Sequence, residues 1–291
     1  MVTVGLISPG EMGHAIGAVL THNGARVVTN LQGRGPRTVE RAAKAGLEDV
    51  GNDEALVREA TVLLCVVAPA LAGEVVERVT TALNATHSSL LYVDCNAISP
   101  QTVRPFEALV SDVGSRFADV GIVGGPPPLD GAGPRLYASG PGAKELECLR
   151  ELGLDIRVLG PESGQASGLK MCYGALTKGL TALATELLVA GRALGLAEPL
   201  AVELRESQPE LLHWIERQMP SMPPKSARWV REMEEIASTF ELLGLPPQFH
   251  QGAAALYQWI ADTGIGSPPA SGAPTRRSAG ELVEELASRL G

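Results

Sequence analysis

Lys170, Tyr173, Gly174, Thr177, Lys178 and Thr181 recur at a spacing that puts them on one face of an α-helix. A lysine with a tyrosine one turn away can give and take protons during a reaction. The stripe is small and hydroxylic and has no Glu–Lys or Asp–Arg ladder. That composition suits the floor of a cleft as well as an open surface. Leu169, Cys172, Leu176, Leu180, Leu183 and Leu187 mark the other side of the helix, which is expected in the core.

A second group lies at the start of the chain. "VGLISPGEMGHAIG", residues 4–17, reads as a strand, a glycine-rich turn and a helix. Loops that hold a dinucleotide begin this way, with the pattern G-x-G-x-x-G. Gly10 and Gly13 fall at its second and third glycines, where backbone must approach a pyrophosphate and the helix must approach the sheet. Ser8 replaces the first glycine. With Pro9 it can make the tight turn, its hydroxyl can bond phosphate, and the helix start at Glu11 and Met12 adds partial positive charge.

The next strand, "ARVVTNL", runs into "QGRGPRT". NAD enzymes usually place an acid at that strand end to bond the ribose hydroxyls. Here Asn30, Gly33, Arg34 and Arg37 stand there instead, and two guanidinium groups suit a 2′-phosphate. The expected cofactor is therefore NADP(H). Val67, Ala68 and Pro69, closing the strand of "TVLLCVVAP", complete the expected cofactor contacts.

The elements that must position these residues are legible as periods. Up to about Leu159, near-continuously apolar strands alternate with helical segments, as in a doubly wound α/β sheet. From Ser167 a helical period persists for about eight turns, and only helical segments follow, around Glu203–Met219, Lys225–Leu243 and Gln248–Thr263. "GIGSPPASGAPTRRS" reads as a linker before a last helix with Leu282, Val283, Leu286 and Leu290 on one face. The predicted organisation is a Rossmann NADP-binding domain, 1–159, and an all-helical domain, 160–291, joined by the long helix.

Composition narrows the partners. A formal net charge of −9 and a pI near 5.2 argue against nucleic acid or an anionic membrane. The four cysteines form no C-x-x-C, so no metal site is expected. The longest apolar run is too short to span a bilayer. No basic segment precedes the first strand, so no signal peptide is expected and the chain reads as cytoplasmic.

"GLISPGEMGHAIG", "VDCNAISP", "GIVGGPP" and "SGQASGLKMCYG" occur in that order. Together they resemble the ordered motifs of the β-hydroxyacid dehydrogenase superfamily, which includes 3-hydroxyisobutyrate dehydrogenases and is related to 6-phosphogluconate dehydrogenases and imine reductases. The helical half resembles a poorly characterised branch with a 6-phosphogluconate dehydrogenase-like C-terminal domain. The resemblance implies a Rossmann domain, an all-helical domain and homodimers formed through the helical domains.

The resemblance also implies site residues. The glycine loop falls on Ser8, Gly10, Met12 and Gly13. The substrate loop, D-x-[ST]-T-x-x-P, falls on Asp94, Cys95, Asn96, Ala97 and Pro100, with Asn96 in place of the Ser or Thr. An S-G-G segment that binds substrate falls on Val123, Gly124 and Gly125. The catalytic lysine falls on Lys170, and its helper asparagine on Gly174, with Tyr173 beside it. Asn96 is expected to orient the substrate oxygen and to touch the cofactor. Lys178 is expected to lower the Lys170 pKa. Lys178 is also expected at the substrate, and Lys225, Arg228 and Arg231 are candidates to hold an anionic tail of a small-molecule substrate.

The expected activity is NADPH-dependent hydride transfer to or from a small carbonyl or hydroxy-acid-type substrate, with Lys170 as general acid and base. Two alternatives stand beside it: an imine reductase using Tyr173, and a non-catalytic NADPH-binding protein.

Overall fold

The structure is a computed structural model that describes residues 2–267 and 277–290. Most of the expected linker, residues 268–276, lies outside the described residues. The chain divides into two compact units, Met1–Met171 and Cys172–Gly291. This division falls inside the long helix that begins at Gln165.

The first unit holds β1 (Thr3–Ile7), α1 (Glu11–His22), β2 (Arg26–Thr29), α2 (Pro36–Lys44), β3 (Glu48–Asp49), α3 (Asp53–Glu59), β4 (Val62–Cys65), α4 (Ala72–Thr86), β5 (Leu91–Asp94), α5 (Pro100–Asp112), β6 (Arg116–Val123), β7 (Arg135–Ser139) and β8 (Asp155–Gly160). The strand order is β3-β2-β1-β4-β5-β6-β7-β8. All neighbours pair in parallel except β6 and β7, so the last two strands run against the rest. The short strand β3 and the helices α3 and α5 are additional to the elements expected from sequence.

Alternate strand residues feed two cores. Val4, Leu6, Val62, Leu64, Leu91 and Val93 enter one, Ile7, Leu63, Cys65 and Tyr92 the other. A sheet buried on both faces needs near-continuous apolar strands, which is what these segments supply.

Strand order reverses at β1, with β2 on one side and β4 on the other. Ligands of open α/β sheets bind outside the carboxyl ends of strands at such a switch point. Ser8–Gly13 follow β1, Asn30–Arg37 follow β2, Val67–Pro69 follow β4, Asn96 follows β5 and Gly124–Gly125 follow β6. The first unit thus gathers these candidates along one edge of its sheet.

Helix α6 (Gln165–Ala193), 29 residues long, starts in the first unit and ends in the second. The second unit continues with α7 (Ala197–Ser207), α8 (Pro209–Gln218), α9 (Ser226–Leu242), α10 (Gln248–Asp262) and α11 (Ala279–Ala287). The single helix expected around Glu203–Met219 is broken between Ser207 and Pro209. Proline is tolerated at the first turn of the new helix and not in the interior of one. Trp229 of α9 meets Tyr257 of α10 edge to face at 5.3 Å, and Phe240 meets His250 at 4.6 Å.

The two sides of α6 are disposed differently from expectation. Leu176 is 64% exposed and Leu183 44%, and Cys172 is also exposed, whereas Gly174 and Thr181 are buried. The small residues are inside because they admit neighbours closely. A Cβ on Gly174 would lie 3.2 Å from Ile236, and one on Gly179 3.0 Å from Phe249. Burial in the second unit follows side-chain size here, not hydropathy.

No helix among the described residues is long and apolar enough to cross a membrane.

Candidate functional site

The loop after β1 is built for close approach. Ser8 takes a left-handed backbone with φ 66°, a conformation ordinarily left to glycine. Its carbonyl accepts from the Gly10 amide at 2.7 Å. A Cβ on Gly13 would stand 2.5 Å from that same carbonyl oxygen, so only glycine fits there. Gly10 caps α1 and supplies no side-chain acceptor, which leaves the first amides of the helix for an anion. Pro9 is buried, Met12 packs on the core and Glu11 is exposed.

The loop after β2 forms one wall of a pocket of about 310 Å³, lined by Asn30, Gln32, Gly33, Arg34, Asp53 and Arg78. Arg34 and Gly33 are both among its lining residues. Arg37 is exposed on the first turn of α2 and is not among the lining residues. Arg78 comes instead from α4 and touches Asp53 Oδ2 through Nε at 2.5 Å. Asn30 Nδ2 donates to Asp53 Oδ1 at 2.7 Å.

The third group surrounds the ends of β5 and β6. Asp94 and Asp119 face each other across these strands, and both are fully buried. Asp119 accepts from the Gly164 and Ser167 amides and from the Ser139 and Ser167 hydroxyls, so it fixes the start of α6. Burial raises its pKa against those bonds. Asp94 accepts from the Asn96 amide at 3.0 Å and from Asn96 Nδ2 at 2.8 Å. Burial pushes its pKa up to about 7; the Asn96 bonds and the positive charge of Lys170 oppose that rise.

Asn96 is only 2% exposed. Its Oδ1 accepts from the Val67 amide at 2.7 Å, and its Nδ2 is held by Asp94 and Cys65. The side chain therefore ties the turn after β4 to the end of β5. The side chain expected to orient a substrate oxygen is engaged within the protein in this way. Lys170 Nζ lies 3.5 Å from its main-chain carbonyl.

Lys170 stands close to the sheet because β6 has a glycine beneath it. A Cβ on Gly121 would lie 2.6 Å from the Ala166 carbonyl oxygen and 3.2 Å from the Lys170 Cβ. Sequence reasoning missed this position. The signal was available in "GIVGG", since glycine inside a strand often marks close backbone approach. Gly124 and Gly125 follow β6 with exposed backbone, Gly124 at φ 134°.

In the second unit, Tyr173 is 47% exposed. Lys178 Nζ lies 3.1 Å from Glu232, and Arg228 Nε lies 3.3 Å from the same carboxylate. Lys178 also sits 5.7 Å from the centre of the Trp229 ring. Lys178 and Arg228, both candidates for the substrate, thus share the Glu232 carboxylate. Arg231 pairs with Glu234 and Glu235, and Lys225 bonds Ser221 and lies near Trp229. No cluster able to hold a metal occurs among the described residues.

Residues 3–147 match the family described as the NAD binding domain of 6-phosphogluconate dehydrogenase, and residues 192–260 match a domain of unknown function, DUF1932. An uncharacterized 28.5 kDa protein of Methanothermus fervidus is 27% identical over 205 residues, covering 70% of this chain and 77% of its own. The conserved protein MTH1747, of unknown function and structurally similar to 3-hydroxyacid dehydrogenases, is 30% identical. It covers 91% of this chain and 99% of its own, with a TM-score of 0.69. The chain belongs to the β-hydroxyacid dehydrogenase superfamily.

Within that superfamily, a 3-hydroxyisobutyrate dehydrogenase of Mycobacterium tuberculosis, solved with L-serine, shares the fold at 21% identity. Its TM-score is 0.70, over 90% of this chain and 94% of its own. The superfamily's NAD-binding domain accounts for the loop after β1: Gly13 and the uncapped α1 fit a dinucleotide pyrophosphate.

Proposed function

We propose that this protein is an NADP(H)-dependent oxidoreductase acting on a small carbonyl or hydroxy-acid-type substrate, with Lys170 as its general acid and base. The observation that carries the reading is the seat of Lys170. Its ammonium reaches the carbonyl that follows β5, and its helix is pressed onto the sheet at Gly121. Those features support a proton-donor role for Lys170, on the side of the sheet that carries the cofactor loop.

The nicotinamide, when bound, supplies or accepts the hydride. The chain's own residues do the rest. The α1 amides and Ser8–Gly13 would hold the pyrophosphate. Arg34 would bond the 2′-phosphate, which supports NADP(H) over NAD(H). Lys170 Nζ would donate a proton to the carbonyl oxygen as negative charge develops there, and would take it back in the reverse direction. The Asn96 carbonyl orients that ammonium, and the exposed Gly124 and Gly125 amides can bond a substrate oxygen.

A second reading rests on Tyr173, which is half exposed one turn beyond Lys170. There the proton would come from the phenol and the substrate would be an imine.

A screen of NADPH oxidation against aldehydes, keto acids and cyclic imines identifies the substrate. On that substrate, Lys170→Ala should lower kcat by about 10²–10⁴, the usual worth of one general acid, and leave NADPH affinity unchanged. Lys170→Arg should not restore it, because arginine stays protonated. If Lys170→Ala keeps near-native kcat while Tyr173→Phe is inactive, the imine reading replaces the first.

A further inference from the structure

We propose that Arg78 is the second cation of the 2′-phosphate site and that it decides between the two cofactors by neutralising Asp53. This deepens the NADP(H) reading and rests on it.

The pocket after β2 brings together residues far apart in sequence. Arg34 comes from the β2 loop, Asp53 from the first turn of α3 and Arg78 from α4. Asp53 is an acid at the place where an NAD enzyme would put one, although it comes from a different element. Both of its oxygens are engaged. Oδ1 accepts from Asn30 Nδ2 at 2.7 Å, and Oδ2 lies 2.5 Å from Arg78 Nε. An acid so held already serves one partner on each oxygen and has its charge balanced by Arg78.

Arg78 approaches Asp53 through Nε and its side chain is 39% exposed. Among the described residues no hydrogen bond or ion pair is formed by its terminal nitrogens or by the Arg34 guanidinium. Two planar forks therefore border one pocket, and a phosphate monoester is the ligand such forks recognise. The charge balance favours the same ligand. Two arginines against one carboxylate leave a net positive pocket for a group carrying about −1.5 to −2.

Arg78 has a double effect in this arrangement. It attracts the 2′-phosphate, and it cancels a carboxylate that would otherwise repel it. Removing it should therefore do more than remove one contact. Asp53 would keep its Asn30 bond but lose its counter-ion, able to repel a phosphate and to accept from a free ribose 2′-hydroxyl.

The test is the dissociation constants of NADPH and NADH for the full chain, measured by calorimetry, for the native protein, Arg34→Ala, Arg78→Gln and Arg78→Gln/Asp53→Asn. Arg78→Gln should weaken NADPH at least tenfold and leave NADH unchanged or tighter. The unchanged NADH affinity shows that the variant is folded. Adding Asp53→Asn should recover part of the lost NADPH affinity, since the repelling charge is gone. If Arg34→Ala removes the NADPH preference and Arg78→Gln keeps it, the proposal for Arg78 is overturned and the NADP(H) reading stands. If the native protein binds both cofactors equally, the NADP(H) reading fails and this proposal with it. If Arg78→Gln weakens both cofactors alike, Arg78 serves the fold of the pocket and the proposal is overturned. Should Arg78→Gln bind neither cofactor, Arg78→Lys decides. It keeps the charge beside Asp53 without the fork, and must retain NADH affinity with weaker NADPH binding for the proposal to survive.

Discussion

Ser8 and Gly13 share one carbonyl oxygen. Ser8 is held at φ 66°, which costs a non-glycine residue roughly 1–2 kcal/mol, and its oxygen leaves no room for a Cβ on Gly13. Ser8→Gly relieves that strain but gives the unfolded chain more freedom, a loss of about 0.4–1 kcal/mol. The relief is the larger by up to about 1 kcal/mol, so the melting temperature should hold or rise slightly and NADPH affinity should stay close to native. Gly13→Val should abolish NADPH binding in a protein that remains folded by circular dichroism. Normal binding by that variant would place the cofactor elsewhere. Asp94 makes a different demand, on pH. Its pKa rises from 3.8 to about 7 on folding, so the folded state binds the extra proton between those values. Stability from this group is complete below about pH 4 and is lost as pH rises through about 7, with a total on the order of 4 kcal/mol. Denaturant melts across that range should show the loss in the native protein and a flatter profile in Asp94→Asn. Equal slopes in the two proteins would mean that Asp94 is already ionised at low pH.

Among the elements, the contact of α6 with β6 bears most directly on the role proposed for Lys170. Gly121→Ala puts a methyl group against the Ala166 carbonyl, so the helix must shift and carry Lys170 with it. Small displacements of a positioned group can lower rates strongly. Turnover should fall at least tenfold while NADPH affinity holds, because the cofactor loop belongs to other strands. A native kcat in this variant would show that the position of α6 is not critical. The legible and illegible elements differ for the same kind of reason. The long strands and α6 were readable because buried apolar runs and a helical period persist over many residues. β3 spans only Glu48–Asp49, both exposed, and α3 is seven residues, so neither carries a period long enough to read. Cap residues could have marked α3 and α5, since Asn52 bonds the Ala55 amide and Ser99 the Thr102 amide. The glycine loop, Arg34 and Lys170 were legible as motif positions. Arg78 was not, because on its own helix it reads as an ordinary exposed residue and only the sheet brings it to the β2 loop. The engagement of the Asn96 side chain was equally hidden, because its partner is an amide on another strand end.

Across the whole chain, the compact units part at Met171/Cys172, in the middle of one helix. The glycine loop, the arginine pocket, the Asp94–Asn96 turn and Lys170 all lie before that point, and Tyr173 lies after it. In terms of inheritance, the proposed cofactor choice and the proposed proton donor then belong together to one portable block, the first unit. The helical half could diverge, or be exchanged, without touching either. A chimera joined within α6 at that residue pair, with the helical half taken from a relative, should keep the NADPH-to-NADH preference of this chain whatever substrate the new half admits. A preference that followed the helical half would show that cofactor choice is not a property of the first unit alone.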